Sequence, residues 1–308
     1  MTGPVDHVPE RLAALATEQA DPRYAGIDLS SVGELAVLMN EADGSVPQAV
    51  HAALPRIVPA IAAVTERMRA GGRLLYVGAG TAGRMGVLDA SECPPTFGTP
   101  PELVRGVIAG GPDAMFTAQE GVEDDEDAGR AAIAAEGVGP ADAVLGLAAS
   151  GRTPFAVAAV AEARRRGALT VGLSCNRDTP LSAAAEHPIE VVVGPEVVAG
   201  STRLKAGTAQ KLVLNMFSTI VMVQLGKTYG NLMVDLKASN AKLRERAIRT
   251  VTTVTGVSRE RAAAALESSG MHVKLAILRL ERGLDDAEAT ERLVAAGGHL
   301  RAALEGER

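Results

Sequence analysis

The chain has 308 residues, 47% of them hydrophobic and 22% charged, and its formal net charge is −6. This composition is ordinary for a globular protein, and the length is enough to bury a substantial core. The acidic balance and the lack of tryptophan argue against nucleic-acid binding, which needs basic patches and aromatic stacking platforms.

Three features indicate the compartment. The two cysteines, Cys93 and Cys175, fit neither a disulfide framework nor a metal-ligand spacing, so we expect free thiols. The first residues, MTGPVDHVPE, lack a charged region followed by an apolar stretch, so no signal peptide is predicted. No run approaches the ~18 apolar residues of a membrane span. We therefore expect a soluble, cytoplasmic protein without membrane contacts.

The N-terminal part predicts an irregular arm followed by two helices. Residues 1 to about 30 are polar and punctuated by proline and glycine. A short helix follows, capped by Ser30 or Ser31 and stopped by Gly44. Apolar residues at helical spacing then run from 46 to about 70, where a glycine pair ends the second helix.

Strand–helix alternation fills the middle of the chain. Five apolar runs read as buried strands, and Ala-rich helical stretches separate them: RLLYVGAG, LVRGVIAGG, AVLGLAASG, LTVGLSCN and IEVVVGPE. This order predicts a doubly wound α/β fold with a mainly parallel sheet flanked by helices. The long apolar helix at 206–226 is expected to be buried or to form a subunit interface.

The C-terminal part predicts a small helical subdomain. From about residue 241 the strand signals stop, and three short helices ending at glycines resemble a ubiquitin-associated module. We expect three regions: an arm with a helix (1–50), the α/β domain (51–240) and the helical subdomain (241–308).

The turn VGAGTAGR, with Gly78, Gly80 and Gly83, formally fits the dinucleotide-binding pattern G-x-G-x-x-G. That pattern also requires an acidic residue at the end of the next strand, yet LVRGVIAGG ends in glycines. We therefore disfavour NAD. The alternative is that Gly80 and Thr81 open a helix whose N-terminus holds one phosphate.

A second strand-to-helix turn, Ser150-Gly151-Arg152-Thr153, supports the phosphate interpretation. Two such turns can converge on one anion at the carboxyl edge of a parallel sheet. The whole pattern resembles the sugar isomerase (SIS) domain, which binds phosphosugars. That resemblance implies that Ser150 and Thr153 hold a sugar phosphate, with Gly151 and Arg152 in the same turn.

Two acidic segments are candidates for chemistry. In DASECPPTFG, Glu92 precedes Pro94 and Pro95, which predict a rigid loop after the helix and suit either a positioned acid or a simple turn. In QEGVEDDEDAG, Glu120 and Glu123 would share one face if the segment is helical, or would belong to a solvated helix start.

Longer segments resemble the N-acetylmuramic acid 6-phosphate etherases, bacterial enzymes of the SIS superfamily: LDASECPPT, EGVED, LAASGRTP, GSTRLKAGTAQKLVLNM and GNLMVD. The similarity runs from about Thr17 to the C-terminus. It implies a lyase that breaks the ether between the lactyl group and C3 of the sugar, releasing D-lactate and N-acetylglucosamine 6-phosphate.

The resemblance also implies the catalytic residues. The family's acid/base glutamates fall on Glu92, as proton donor, and on Glu123, as its partner. C2 of the open-chain sugar lies next to an aldehyde, so one group can remove its proton while an acid protonates the departing oxygen. Water then adds at C3. This chemistry needs no metal and no cofactor.

A third signature, GSTRLKAGTAQK, places Ser201, Thr202, Arg203 and Lys205 before a helix N-terminus, a setting suited to an anion. Ser201 and Lys205 are therefore candidate substrate-binding residues. Thr202 and Thr208 could instead only cap the helix.

The chain departs from the family at three positions. Ala82 stands where a serine is common in the glycine turn, and Asp21 and Tyr24 stand where asparagine and serine are expected in the arm. In the family this arm lies close to the active site.

Two other functions are weighed against the etherase. A non-catalytic phosphosugar sensor, such as the vertebrate glucokinase regulatory protein, shares the SIS architecture, but that protein is longer and has duplicated SIS domains. An aldose–ketose isomerase would use similar proton abstraction at C2. The etherase signatures, with both glutamates present, favour the etherase, and we expect it to be a homodimer.

Overall fold

The structure, a computed structural model, describes residues 15–236 and 240–306. The expectation about a signal peptide concerns residues 1–10, which lie outside the described residues. The chain divides into two compact units, and each is described by itself. Residues 1–91 with 102–217 form the first unit, and residues 92–101 with 218–308 form the second. The three predicted regions stay a prediction.

The first unit begins with short 3-10 turns at Ala16–Glu18, Pro22–Tyr24 and Ile27–Leu29. Helix α1 (Val32–Asp43) follows, and Ser31 and Glu34 cap it reciprocally, which satisfies two backbone N–H groups. Helix α2 spans Val46–Arg69. Both predicted helices are confirmed, with Ser31 as the cap.

A five-stranded sheet forms the centre of the first unit. Its strands are β1 (Leu74–Gly78), β2 (Val104–Ile108), β3 (Ala143–Leu147), β4 (Leu169–Ser174) and β5 (His187–Glu190). All pairs are parallel, and the spatial order is β2-β1-β3-β4-β5. The predicted α/β sheet is confirmed, although the fifth apolar run is a strand only as far as Glu190.

The helices that connect successive strands complete the doubly wound fold. They are α3 (Gly80–Phe97), α4 (Glu126–Ala135), α5 (Pro154–Arg165) and α6 (Pro180–Ala184). Residues of β1 and β3 pack with Ile133 of α4 and Phe155 of α5 in one core cluster. Helix α7 (Lys205–Gln224) follows β5 after a loop.

Helix α3 corrects the expectation of a rigid loop around Glu92. The helix continues through Glu92, Pro94 and Pro95 and ends at Phe97. Both prolines lie in its last turn, where few intrahelical bonds remain to be lost. Gly98 then terminates it in a left-handed conformation (φ 64°), with its N–H donating to the carbonyl of Pro94 at 2.9 Å.

The acidic segment corrects a second expectation. Glu123 lies in a 3-10 turn (Val122–Asp124), and helix α4 begins only at Glu126, capped by Asp125. Glu120 precedes that turn, so Glu120 and Glu123 do not share a helix face.

The described part of the second unit is mainly helical. Its helices are α8 (Ala241–Thr255), α9 (Arg259–Ser268), α10 (Val273–Arg282), α11 (Asp286–Ala295) and α12 (Leu300–Glu305), with a small hairpin at Thr228–Tyr229 and Leu232–Met233. The three predicted helices correspond to α9, α10 and α11, which confirms a helical subdomain. Helices α8 and α12, which flank them, were not predicted.

Within the described ranges, no helix is long and apolar enough to cross a membrane.

Candidate functional site

A cavity of about 470 Å³ opens in the first unit beyond the carboxyl ends of β1 and β3. This edge of a parallel sheet is where doubly wound folds bind ligands. The cavity is lined by residues of the β1–α3 turn, the 3-10 turn before α4, the β3–α5 turn, the arm and α7: Glu18, Ala79–Ala82, Glu123, Asp124, Ala148–Ser150, Arg152–Pro154, Thr202 and Gln210.

The β1–α3 turn brings Gly80 and Thr81 to the cavity. Gly80 has φ 52° and opens helix α3, so free N–H groups of the first turn lie at this edge. The other glycines serve close packing, since a Cβ on Gly83 would lie 2.7 Å from the carbonyl oxygen of Gly78. Ala82 is buried and lines the cavity with a methyl group. This turn suits an anion at a helix N-terminus.

The β3–α5 turn brings three predicted binding residues to the same cavity. Gly151 is left-handed (φ 68°), and a side chain there would collide with Thr179. The hydroxyl of Ser150 accepts from the N–H of Arg152 at 3.1 Å. Thr153 precedes α5 but makes no side-chain capping bond to it. Its hydroxyl is therefore not used by its own helix.

Arg152 supplies positive charge at this turn. Its Nε is buried and has no hydrogen-bond partner among the described residues. An unpaired buried donor is costly, and a ligand oxygen would satisfy it. The side chain is thus prepared for an acceptor in the cavity.

Of the two predicted acid/base residues, Glu123 lines this cavity and is exposed. Asp124 lines it as well. Glu92 belongs to the second unit, where its side chain is exposed near the end of helix α3.

The GSTRLK segment differs from expectation at its helix end. The Glu196 carboxylate, buried at 1% exposure, accepts from the N–H groups of Lys205 (3.0 Å) and Ala206 (2.9 Å). A protein carboxylate therefore already occupies the N-terminus of α7 that the sequence assigned to a substrate anion. The Lys205 ammonium donates to the carbonyl of Val193 at 2.8 Å. Burial lowers the pKa of Lys205, and the nearby Glu196 carboxylate opposes this shift.

Three other residues of this segment have distinct positions. Thr202 lines the cavity, whereas Ser201 is half-buried and is not one of the described lining residues. The hydroxyl of Thr208 donates to the carbonyl of Leu204, the residue before the helix, at 3.1 Å, so it does not accept from an N–H group as a cap would. Substrate binding by Ser201 and Lys205 stays a prediction.

Besides Asp124, the sequence reasoning missed Glu18 and Gln210 as lining residues. Glu18 reaches the cavity because its neighbour Thr17 is fully buried against Asn176, whose Nδ2 donates to the Thr17 hydroxyl at 3.0 Å. Gln210 lies on α7 at 1% exposure. Gln210 lies within the signature GSTRLKAGTAQK but was not singled out there, and Glu18 has no local signal, since it reaches the cavity through long-range packing.

A buried ion pair also escaped the sequence reasoning. Asp89, on α3, is 3% exposed and accepts from Lys211 Nζ at 2.7 Å and from the Tyr76 hydroxyl at 3.0 Å. The cluster ties α3 to β1 and α7 within the first unit. Asp89 lies one helical turn before Glu92 in the DASECPPT segment.

Comparison with known families agrees with the described folds of both units. Residues 56–164 match the N-terminal SIS domain of glucokinase regulatory protein, and residues 120–220 match the SIS domain. Residues 230–296 match the C-terminal lid domain of glucokinase regulatory protein. These matches confirm the SIS fold, and they classify the helical subdomain as similar to a lid domain.

Curated relatives decide the family. An N-acetylmuramic acid 6-phosphate etherase of Rubrobacter xylanophilus is 60% identical, covering 97% of this chain and 99% of the relative. Etherases of Streptomyces avermitilis and Serratia proteamaculans are 58% and 52% identical, each over 95% of this chain. The chain belongs to the N-acetylmuramic acid 6-phosphate etherase family.

This membership confirms the resemblance seen in the sequence and the prediction of a carbon–oxygen lyase. The etherase relatives match over nearly their whole length, so the sensor and isomerase alternatives are not favoured.

Proposed function

We propose that this etherase-family chain cleaves the D-lactyl ether of N-acetylmuramic acid 6-phosphate, giving N-acetylglucosamine 6-phosphate and D-lactate. One observation carries the proposal: a single cavity at the carboxyl edge of the sheet combines two phosphate-type turns with the Glu123 carboxylate. The first feature suits a sugar phosphate and the second suits proton transfer, as etherase chemistry requires.

The substrate phosphate is proposed to bind at the β3–α5 turn. Ser150 and Thr153 would donate their hydroxyls, the N-terminus of α5 would contribute its free N–H groups, and Arg152 would add positive charge. The β1–α3 turn, with Gly80 and Thr81, would complete the anion site.

The bond is proposed to break by elimination followed by addition of water. A carboxylate removes the C2 proton of the open-chain sugar while a carboxylic acid protonates the lactyl oxygen, so the C3–O bond breaks and a C2–C3 double bond forms. Water then adds its hydroxyl at C3 and a proton returns to C2. We assign Glu92 as the proton donor and Glu123 as its partner.

Release of D-lactate from N-acetylmuramic acid 6-phosphate, without added metal, tests this function directly. We expect Glu92→Gln and Glu123→Gln each to lose at least 100-fold in rate while keeping the wild-type unfolding curve. Glu126→Gln is the matched control, because Glu126 is an exposed neighbour of Glu123 that pairs with Arg130 at 2.9 Å. A wild-type protein that binds the sugar phosphate but yields no lactate would refute the etherase proposal.

We also propose that the chain forms a homodimer. Helix α1 and the turn before it expose large apolar side chains, including Leu29 (87%), Val32 (85%) and Val37 (59%), and α1 buries only Ala42. Such a surface is typical of a subunit contact. Light scattering should give twice the mass of the chain, and Val32→Glu with Val37→Glu should shift it towards the monomer. A monomeric wild type would contradict the proposal.

The cytoplasmic location and the role in cell-wall amino-sugar catabolism are proposals of the same kind. They are supported by the etherase relatives. Fractionation of cells that express the tagged protein, with D-lactate release measured in each fraction, would test the location.

A further inference from the structure

Gln210 is the residue whose environment the fold leaves unexplained. It is 1% exposed on helix α7 and lines the cavity, yet its Nε2 has no hydrogen-bond partner within the described residues. Buried side-chain amides normally have partners, because an unmade hydrogen bond leaves the full desolvation penalty. A polar group retained at such a cost is prepared for a ligand.

The position of Gln210 on α7 places it near the β1–α3 turn, one of the two turns proposed to bind the phosphate. Gly207 lies one turn earlier on the same helix, and a Cβ there would be 3.4 Å from Thr81 Cγ2. Residues three apart share a helix face, so Gln210 lies on the same face as Gly207, the face that packs beside the β1–α3 turn. Thr202, just before the helix, lines the same cavity.

Two unpaired donors therefore line one cavity, and their charges differ. Arg152 Nε is cationic and belongs to the β3–α5 turn, whereas Gln210 Nε2 is neutral and belongs to α7. A guanidinium suits a phosphate dianion. A neutral amide suits an uncharged oxygen, such as a sugar hydroxyl or an acetamido carbonyl.

We propose that Gln210 is a substrate-binding residue whose Nε2 donates to an uncharged oxygen of the sugar portion of the ligand. The inference rests on the proposed phosphosugar function and deepens it, because it assigns a contact that recognises the sugar rather than its phosphate. The role is binding and specificity, with no part in moving a proton.

The test is calorimetric binding of N-acetylglucosamine 6-phosphate and of inorganic phosphate to the full chain. Gln210→Met keeps the side-chain length but removes the donor. We expect it to raise the Kd for the sugar phosphate by about tenfold, the loss of one buried hydrogen bond, and to leave the Kd for phosphate within about twofold. Gln210→Glu, which replaces the donor by a carboxylate, should weaken the sugar phosphate further.

A stability measurement separates this role from a structural one. Replacing an unsatisfied buried donor by an apolar group is neutral or stabilising, so ligand-free Gln210→Met should unfold at the same or a higher temperature than wild type. Asn215→Met, at an exposed position of the same helix that does not line the cavity, is the matched control and should change neither binding nor stability.

Three outcomes overturn the inference: unchanged sugar-phosphate affinity in Gln210→Met, a parallel loss of phosphate affinity, or a lower unfolding temperature without ligand. Failure of the proposed function is distinct, because it would be seen as a wild-type protein that neither binds the sugar phosphate nor releases lactate. If the wild type releases lactate and Gln210→Met binds the sugar phosphate with wild-type affinity, only the Gln210 assignment is refuted.

Discussion

The Asp89 cluster makes a quantitative prediction about the stability of the first unit. Asp89→Asn keeps the shape of the side chain but removes the charge that faces Lys211 at 2.7 Å and the Tyr76 hydroxyl at 3.0 Å. Breaking a fully buried pair costs about 3–5 kcal/mol, because the remaining charge loses its partner. The Lys211 side chain is 31% exposed, so water recovers part of that loss. We expect the free energy of unfolding to fall by about 2–3 kcal/mol.

Urea unfolding followed by circular dichroism measures this change. The double variant Asp89→Asn with Lys211→Met should lose less free energy of unfolding than the two single variants lose together. The reason is that neither charge is left buried without its partner. Glu126→Gln is the control, because its exposed pair with Arg130 should contribute less than about 0.5 kcal/mol. The reasoning would be refuted if the free energy of unfolding of Asp89→Asn lay within about 0.5 kcal/mol of wild type. It would also be refuted if the losses of the two single variants summed to the loss of the double variant.

Three further predictions concern Glu196, Cys175 and Gly98. Glu196→Gln should lower the free energy of unfolding by about 1.5–3 kcal/mol in urea titrations, because the helix N–H groups lose a charged acceptor; an unchanged midpoint would contradict this. Burial, and secondarily the Glu196 carboxylate, raises the pKa of Cys175 to about 12. The protonated thiol therefore stabilises the folded protein fully below pH 9, and this stabilisation is lost as pH rises towards 12. Native Cys93→Ser protein should therefore react with a thiol reagent at pH 8 at least about 100-fold more slowly than in urea. Gly98→Ala should destabilise the second unit by at least about 2 kcal/mol, since its Cβ would collide with the carbonyl of Asp235; wild-type proteolysis rates would contradict this.

The strands could be predicted because their signal is local. Apolar runs such as Leu74–Gly78 end in glycines, and burial on both faces leaves no other place for them. The two phosphate-type turns followed for the same reason, since Gly80 and Gly151 stand where the backbone turns left-handed. These turns fix which edge of the sheet carries the cavity.

The errors came from places where tertiary context outweighs a local preference. Pro94 and Pro95 signal a loop, yet helix α3 retains them in its last turn between buried Cys93 and Phe97. Helix α8 is polar, rich in arginine and ends in a run of β-branched residues, a composition that does not favour a helix.

The remaining site residues could not have been found by spacing. Glu18 and Gln210 lie 192 positions apart (210 − 18), and only the packing of the arm and of α7 brings both to one cavity. Glu196 was invisible for the same reason, because its partners are backbone N–H groups of a helix nine and ten residues later.

The contact between Thr17 and Asn176 has a practical consequence for anyone shortening this protein. A version that starts at residue 31 would keep every described strand and every described α-helix, and would look like a safe truncation. It would nevertheless delete Glu18 from the cavity wall, and it would remove both the Thr17 hydroxyl that Asn176 holds and the Thr17 carbonyl that accepts from Gly200. Gene designs should therefore keep Leu15 onward intact.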